Sequence, residues 1–208
     1  PDWHVIRGNH EGYVLLFEDP EFPRTGPEFE LRRVIHWTHQ SLTRQDLRNV
    51  IELPVETHIR SEENDLIRCF HASIAGDRIG IYPDTTVEQL HGLADPGADL
   101  FLVGHTHQPF ISLFGKSLLI NVGSVGLPFD GDIRPSYGRM IKTQTGWEGE
   151  IVRLEYDQEK AVDDYLTTGF IPEGGGMANL VLAELQLGWP QLSKFLKRYE
   201  RAVQNEEI

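Results

Sequence analysis

The stretch LFLVGHTHQP, Leu100–Pro109, is the part of this sequence that settles its architecture. An uninterrupted apolar run, Leu100–Val103, ends in a glycine and two histidines one residue apart. A short apolar run bounded by turn residues reads as a buried strand. The same pattern recurs along the chain. Val5-Ile6 leads into Gly8-Asn9-His10, Leu66–Phe70 into His71-Ala72-Ser73, and Leu118–Ile120 into Asn121-Val122-Gly123-Ser124. Each run predicts a strand with polar, chemistry-bearing residues at its end.

Helical patterns lie between these runs. Phe29, Val34, Ile35, Trp37 and Leu42 form one apolar face, and Val87, Leu90 and Leu93 another. Tyr137–Lys142 and Glu148–Tyr156 alternate in polarity around Thr145-Gly146 and predict an antiparallel pair. The tail from Ala178 to Val203 reads as helix, interrupted near Gly188-Trp189-Pro190, because proline disfavours helix in the residue before it. Strands alternating with helices, followed by an antiparallel pair, predict a mixed α/β sandwich. Ligands in such sheets bind beyond the strand ends. The Pro20–Pro27 loop is expected at the surface, and Gly174-Gly175-Gly176 as a hinge before the tail. The division expected is a main domain over residues 1–170 and a helical tail over residues 171–208.

The composition narrows the function. With 208 residues, 39% of them hydrophobic and 25% charged, the chain can build one sizeable core. No apolar run approaches the roughly 20 residues that span a bilayer. Cys69 is the single cysteine, which fits a reducing, cytoplasmic setting. A net charge of −13 disfavours stable contact with nucleic acid or anionic lipid. An anionic substrate would need local positive charge, from metals or a few arginines.

His71, His105 and His107 offer neutral imidazole nitrogens, and Asn9 offers an amide oxygen. Imidazole suits zinc, iron and nickel. There is no cysteine cluster for a thiolate zinc site. Alone, His71 is an ordinary half-buried histidine, His105-x-His107 a common surface pair, and Asn9-His10 a turn. Four strand ends carrying compatible groups in one chain shift the reading to a catalytic metal site.

GNHE at Gly8–Glu11, His71 in FHAS, GHTH at Gly104–His107 and NVGSVGLPFDGDIRPSY at Asn121–Tyr137 together resemble the calcineurin-like metallophosphoesterases. The last segment is most similar to the small bacterial and archaeal phosphodiesterase branch, and IHWTHQSLT resembles the helix that follows the Asn-His motif there. The resemblance covers roughly Val5 to Tyr156. It implies a mixed β-sandwich flanked by helices (α/β/β/α) and two divalent metal ions, Mn, Fe, Ni or Zn. Asn9, His71 and His105 match ligands of one metal, and His107 matches a ligand of the other. His10 matches the histidine beside the scissile phosphate. Arg7 matches a phosphate-contacting arginine in the protein-phosphatase branch alone. Glu11 is a conceivable orienter of His10, and Ser124 with the Gly123 and Val125 amides a wall of the pocket.

The same family pattern places an Asp-x-His and a Gly-Asp motif ahead of Asn9. The expectation is therefore that a first βαβ segment of roughly 60–80 residues is absent from this chain, and that the chain alone is a poor catalyst. DWH at Asp2–His4 adjoins GNHE directly and reads as coincidence. The implied activity is hydrolysis of a small phosphorylated substrate, as phosphodiesterase or phosphatase, by a two-metal-activated hydroxide. The alternative is a non-catalytic scaffold or protein-interaction module on the same fold. A homo-oligomer is compatible with either. His36, His39, His58 and His91 are expected not to be ligands.

Overall fold

A computed structural model describes residues 3–204. The sequence folds first into short helices: α1 (Asn9–Leu15), a single 3-10 turn (Leu16–Glu18), α2 (Pro27–Leu31), α3 (Arg33–Ser41) and α4 (Arg44–Glu52). Strands β1 (Glu56–Arg60) and β2 (Leu66–Phe70) follow, then the short helix α5 (Val87–Leu90). Next come β3 (Leu100–Val103), β4 (Phe110–Phe114) and β5 (Ser117–Asn121). The chain continues through the β6 (Ser136–Thr143) and β7 (Gly146–Arg153) hairpin to α6 (Gln158–Thr167), α7 (Phe170–Leu187) and α8 (Leu192–Gln204).

The five-stranded sheet has the order β1-β2-β3-β5-β4. Its middle strands β2, β3 and β5 are parallel, and β1 and β4 are antiparallel edges. Cys69 pairs with Leu102, and Val103 with Asn121, so the carboxyl ends of the parallel strands lie side by side. That alignment brings the residues after Phe70, Val103 and Asn121 to one rim. The β6–β7 hairpin forms a second sheet lying against β4 and β5. The result is the mixed, helix-flanked α/β architecture that the strand pattern predicts.

Two apolar cores hold the molecule. One joins Phe101, Val103 and Leu119 of the sheet to Ile81, Leu90 and Ala94 on the crossover that carries α5. The other joins Val14, Phe17, Val34, Ile35 and Leu47 of the first helices to Ala178 of α7. The Gly174-Gly175-Gly176 run lies inside α7, where Gly175 (φ +65°) takes a backbone conformation that side chains rarely adopt. The kink is packed on α3. Arg33 Nε donates to the Glu173 carbonyl at 2.9 Å, and a side chain on Gly174 would press on Val34.

Val5 and Ile6 do not form the expected strand. Val5 is exposed, and the Arg7 N–H donates to the Pro54 carbonyl rather than to a sheet neighbour. Two apolar residues carry too little burial to hold a strand without a partner to pair with.

Glu184 fastens the turn from α7 to α8. Its Oε1 accepts the N–H groups of Gln191 and Leu192, both at 2.8 Å, and burial pushes its carboxyl above the usual carboxylate range. The stability it contributes is complete below the unfolded pKa and is lost as pH rises through the folded one. Glu184→Gln keeps an acceptor and cannot ionise. It is expected to match the parent near about pH 4 and to melt at a higher temperature near about pH 7. Glu184→Ala strands two N–H groups and costs about 1–3 kcal/mol. Thermal melts at the two pH values check both.

Candidate active site

Helix α1 begins at the first site residue. Gly8 precedes it in extended conformation, and the Glu11 carboxylate accepts the Gly8 N–H at 2.8 Å. Glu11 thus caps the helix through that bond. The cap fixes the buried Asn9 at the helix start, facing the rim of the sheet. A Cβ on Gly8 would lie 2.7 Å from the His71 ring, so this contact requires glycine.

Asn9, His71 and His105 converge. Asn9 Oδ1 lies 2.8 Å from His71 Nε2, and His105 Nδ1 lies 3.3 Å from the same nitrogen. These atoms come from the start of α1, the end of β2 and the end of β3, across the seam between the two cores. Two nitrogens at bond lengths of about 2.0–2.1 Å from one tetrahedral ion stand about 3.3–3.4 Å apart, which is the separation of His71 Nε2 and His105 Nδ1. The donor set of two imidazoles and one amide oxygen suits a divalent transition metal. Among the described residues, no three or more His, Cys, Asp and Glu side chains form a group able to hold a metal. The observed convergence is thus two histidines and an amide.

The GHTH loop is aimed by backbone conformations that side chains seldom adopt. His105 and His107 have φ of +65° and +57°. For L-residues this left-handed region costs roughly 1–2 kcal/mol each. Asn121 holds the loop in place. Its amide donates to the Gly104 carbonyl at 2.9 Å and the Thr106 hydroxyl at 2.8 Å, and its Oδ1 accepts the Gly123 N–H at 3.0 Å. Asn121 is fully buried, so these bonds are made away from water.

His107 is held differently. Its Nδ1 is 2.5 Å from the Leu127 carbonyl, and its ring stacks on Phe129 with centroids 4.7 Å apart. The carbonyl contact assigns the proton to Nδ1 and leaves Nε2 as the lone-pair nitrogen. The Ser124 hydroxyl accepts the Gly126 and Leu127 N–H groups and shapes the turn that presents this carbonyl.

Burial is the leading cause of lowered pKa values at His71, His105 and His107, with His107 brought down to about 4. The imidazoles are therefore neutral at pH 7, the form that ligates metal. His10 keeps an exposed surface at the mouth of the site and meets Tyr13 edge-on at 5.7 Å. Arg7 is anchored through its backbone to Pro54. Its side chain makes no hydrogen bond or ion pair with any described residue.

The four histidines expected not to be ligands have other partners. His36 lies against Phe17 and Phe29, His39 bonds Glu18 at 2.6 Å, His58 bonds Glu56 at 3.0 Å, and His91 packs on Phe114. The motif reading passed over Asp77 and Arg78. They lie on the segment whose Gly80 packs against His105 and Thr106. Their one sequence signal is a charged pair in a glycine-flanked loop shortly after a strand end.

Residues 2–146 match the family model described as the calcineurin-like phosphoesterase superfamily domain. The uncharacterized protein MJ0912 of Methanocaldococcus jannaschii is 30% identical over 178 residues, which is 76% of this chain and 67% of that protein. A solved structure of the hypothetical protein PH1004 from Pyrococcus horikoshii OT3 matches with a TM-score of 0.70 at 16% identity, covering 91% of this chain and 75% of that one. A metallophosphoesterase from Sphaerobacter thermophilus matches with a TM-score of 0.64 at 22% identity, covering 88% and 76%. These two likenesses concern the fold.

Proposed function

We propose that this chain, which belongs to the calcineurin-like phosphoesterase superfamily, acts in the metal-dependent hydrolysis of a phosphoester on a small molecule. The observation that carries the reading is the convergence of Asn9, His71 and His105 across the seam, with the two histidine nitrogens at the separation of two ligands of one ion. These three residues would hold one divalent ion, and His107 Nε2 would serve a second. Such ions supply Lewis acidity toward phosphoryl oxygens and lower the pKa of water.

The chain's own residues do the rest. Asn121 keeps both imidazoles of the GHTH loop aimed at the rim. The Leu127 carbonyl fixes the His107 tautomer. His10, exposed at the mouth beside Asn9, offers a ring N–H to the departing oxygen. Positioned acid–base groups of this kind contribute about 10²–10⁴-fold.

The test is turnover of bis(p-nitrophenyl) phosphate and p-nitrophenyl phosphate with Mn²⁺, with and without EDTA. The reading predicts slow hydrolysis by this chain that EDTA abolishes and added Mn²⁺ restores. Hydrolysis of neither ester, with metal bound, would favour a non-catalytic scaffold on this fold.

A further inference from the structure

The segment after β2 folds back over the histidines and places one cation at the mouth of the site. Ser73 pins it there. Its hydroxyl donates to the Ile79 carbonyl at 2.5 Å and accepts the Ala75 N–H at 3.2 Å. Gly80 is pressed against the GHTH loop so closely that a Cβ would lie 2.6 Å from Thr106 Cγ2 and 2.9 Å from His105 Cδ2. Through this contact the segment packs directly on the loop that carries His105.

The Arg78 side chain then turns outward. Its guanidinium carbon stands 4.6 Å from the centroid of Tyr13, whose ring meets His10. Its one ion-pair partner among the described residues is Asp77, whose Oδ1 lies 3.8 Å from Nε. That contact faces Nε and leaves the terminal NH₂ groups free of any recorded carboxylate. The side chain is 57% exposed. The aromatic face orients a planar guanidinium, which suits it to a bidentate grip on phosphate oxygens.

We infer that Arg78 is a substrate-binding residue for a second phosphate on the leaving-group side, so that the preferred substrates are diphosphate-type esters. This rests on the hydrolase reading in one respect: His10 marks the leaving-group side. Arg78 shares the Tyr13 ring with His10, which sets it on the His10 side of the candidate ligands. In a protein of net charge −13, this side chain supplies the local positive charge that an anionic leaving group needs.

The experiment is calorimetric titration of the metal-loaded protein with inorganic pyrophosphate and with orthophosphate, in buffer holding saturating free Mg²⁺. Wild type, Arg78→Ala and Arg78→Lys are compared at equal metal occupancy. Charge-assisted hydrogen bonds predict that wild type prefers pyrophosphate by about 10–100-fold. The ratio should fall toward about one in Arg78→Ala and be partly kept in Arg78→Lys. A wild-type ratio near one, or an equal ratio in Arg78→Ala, overturns the inference. Because binding is read without turnover, a protein that hydrolyses nothing yet shows the Arg78-dependent ratio refutes the hydrolase reading alone. A competent hydrolase with no such ratio refutes this inference alone.

Discussion

Asn121→Leu is expected to destabilise the protein by about 3–5 kcal/mol, among the largest effects of any single substitution here. Leucine has similar volume, so packing is not the reason. Asn121 is fully buried, and its side chain satisfies the Gly104 carbonyl, the Thr106 hydroxyl and the Gly123 N–H. Each such group left buried and unpaired costs about 1–3 kcal/mol. The loss also releases the two left-handed residues His105 and His107, which relax when the bonds around them are gone. Urea melts measure the effect. A change within about 1 kcal/mol would mean that the loop is held by something other than Asn121.

The second large effect separates chemistry from metal binding. His10→Ala is expected to lower kcat by about 10²–10⁴-fold while bound metal per chain is retained. His105→Ala is expected to lose metal and activity together. The reason lies in their placement: His105 Nδ1 faces His71 Nε2, whereas His10 faces the open mouth and Tyr13. Metal stoichiometry by elemental analysis, set beside kcat for each variant, decides it. Equal metal loss in the two variants would make His10 a ligand.

The parts of this structure that were legible in the sequence are those with a local cause. β2, β3 and β5 are apolar runs, and β6 and β7 alternate around a turn, so composition alone marks them. The strands that escaped notice are the two edges. β1 reads ETHIR, polar enough to pass for a loop, and β4 leaves Ile111 and Leu113 exposed. Edge strands lack the double burial that writes an apolar signature. Val5-Ile6 failed in the opposite direction, as an apolar run with no neighbour to pair with.

The site divides in the same way. Asn9, His71 and His105 stood out because their residue types carry metal chemistry. The anchoring of His107 by the Leu127 carbonyl and the burial of Asn121 beneath the loop depend on chain segments brought together only by folding. Glu11 as a helix cap follows a local rule, since the acid sits three residues after Gly8. Asp77 and Arg78 needed the fold-back of a whole loop, which no local pattern announces.

The central claim is that the seam between helix α1 and the sheet binds a divalent metal through Asn9, His71 and His105. The most direct measurement is Mn²⁺ titration of the wild type and of His71→Ala, followed by loss of the free-ion signal in electron paramagnetic resonance. His71 supplies the nitrogen that faces both other donors. The account predicts saturable binding by the wild type, weakened at least about 10-fold in His71→Ala. Equal Mn²⁺ affinity in the two proteins would contradict it.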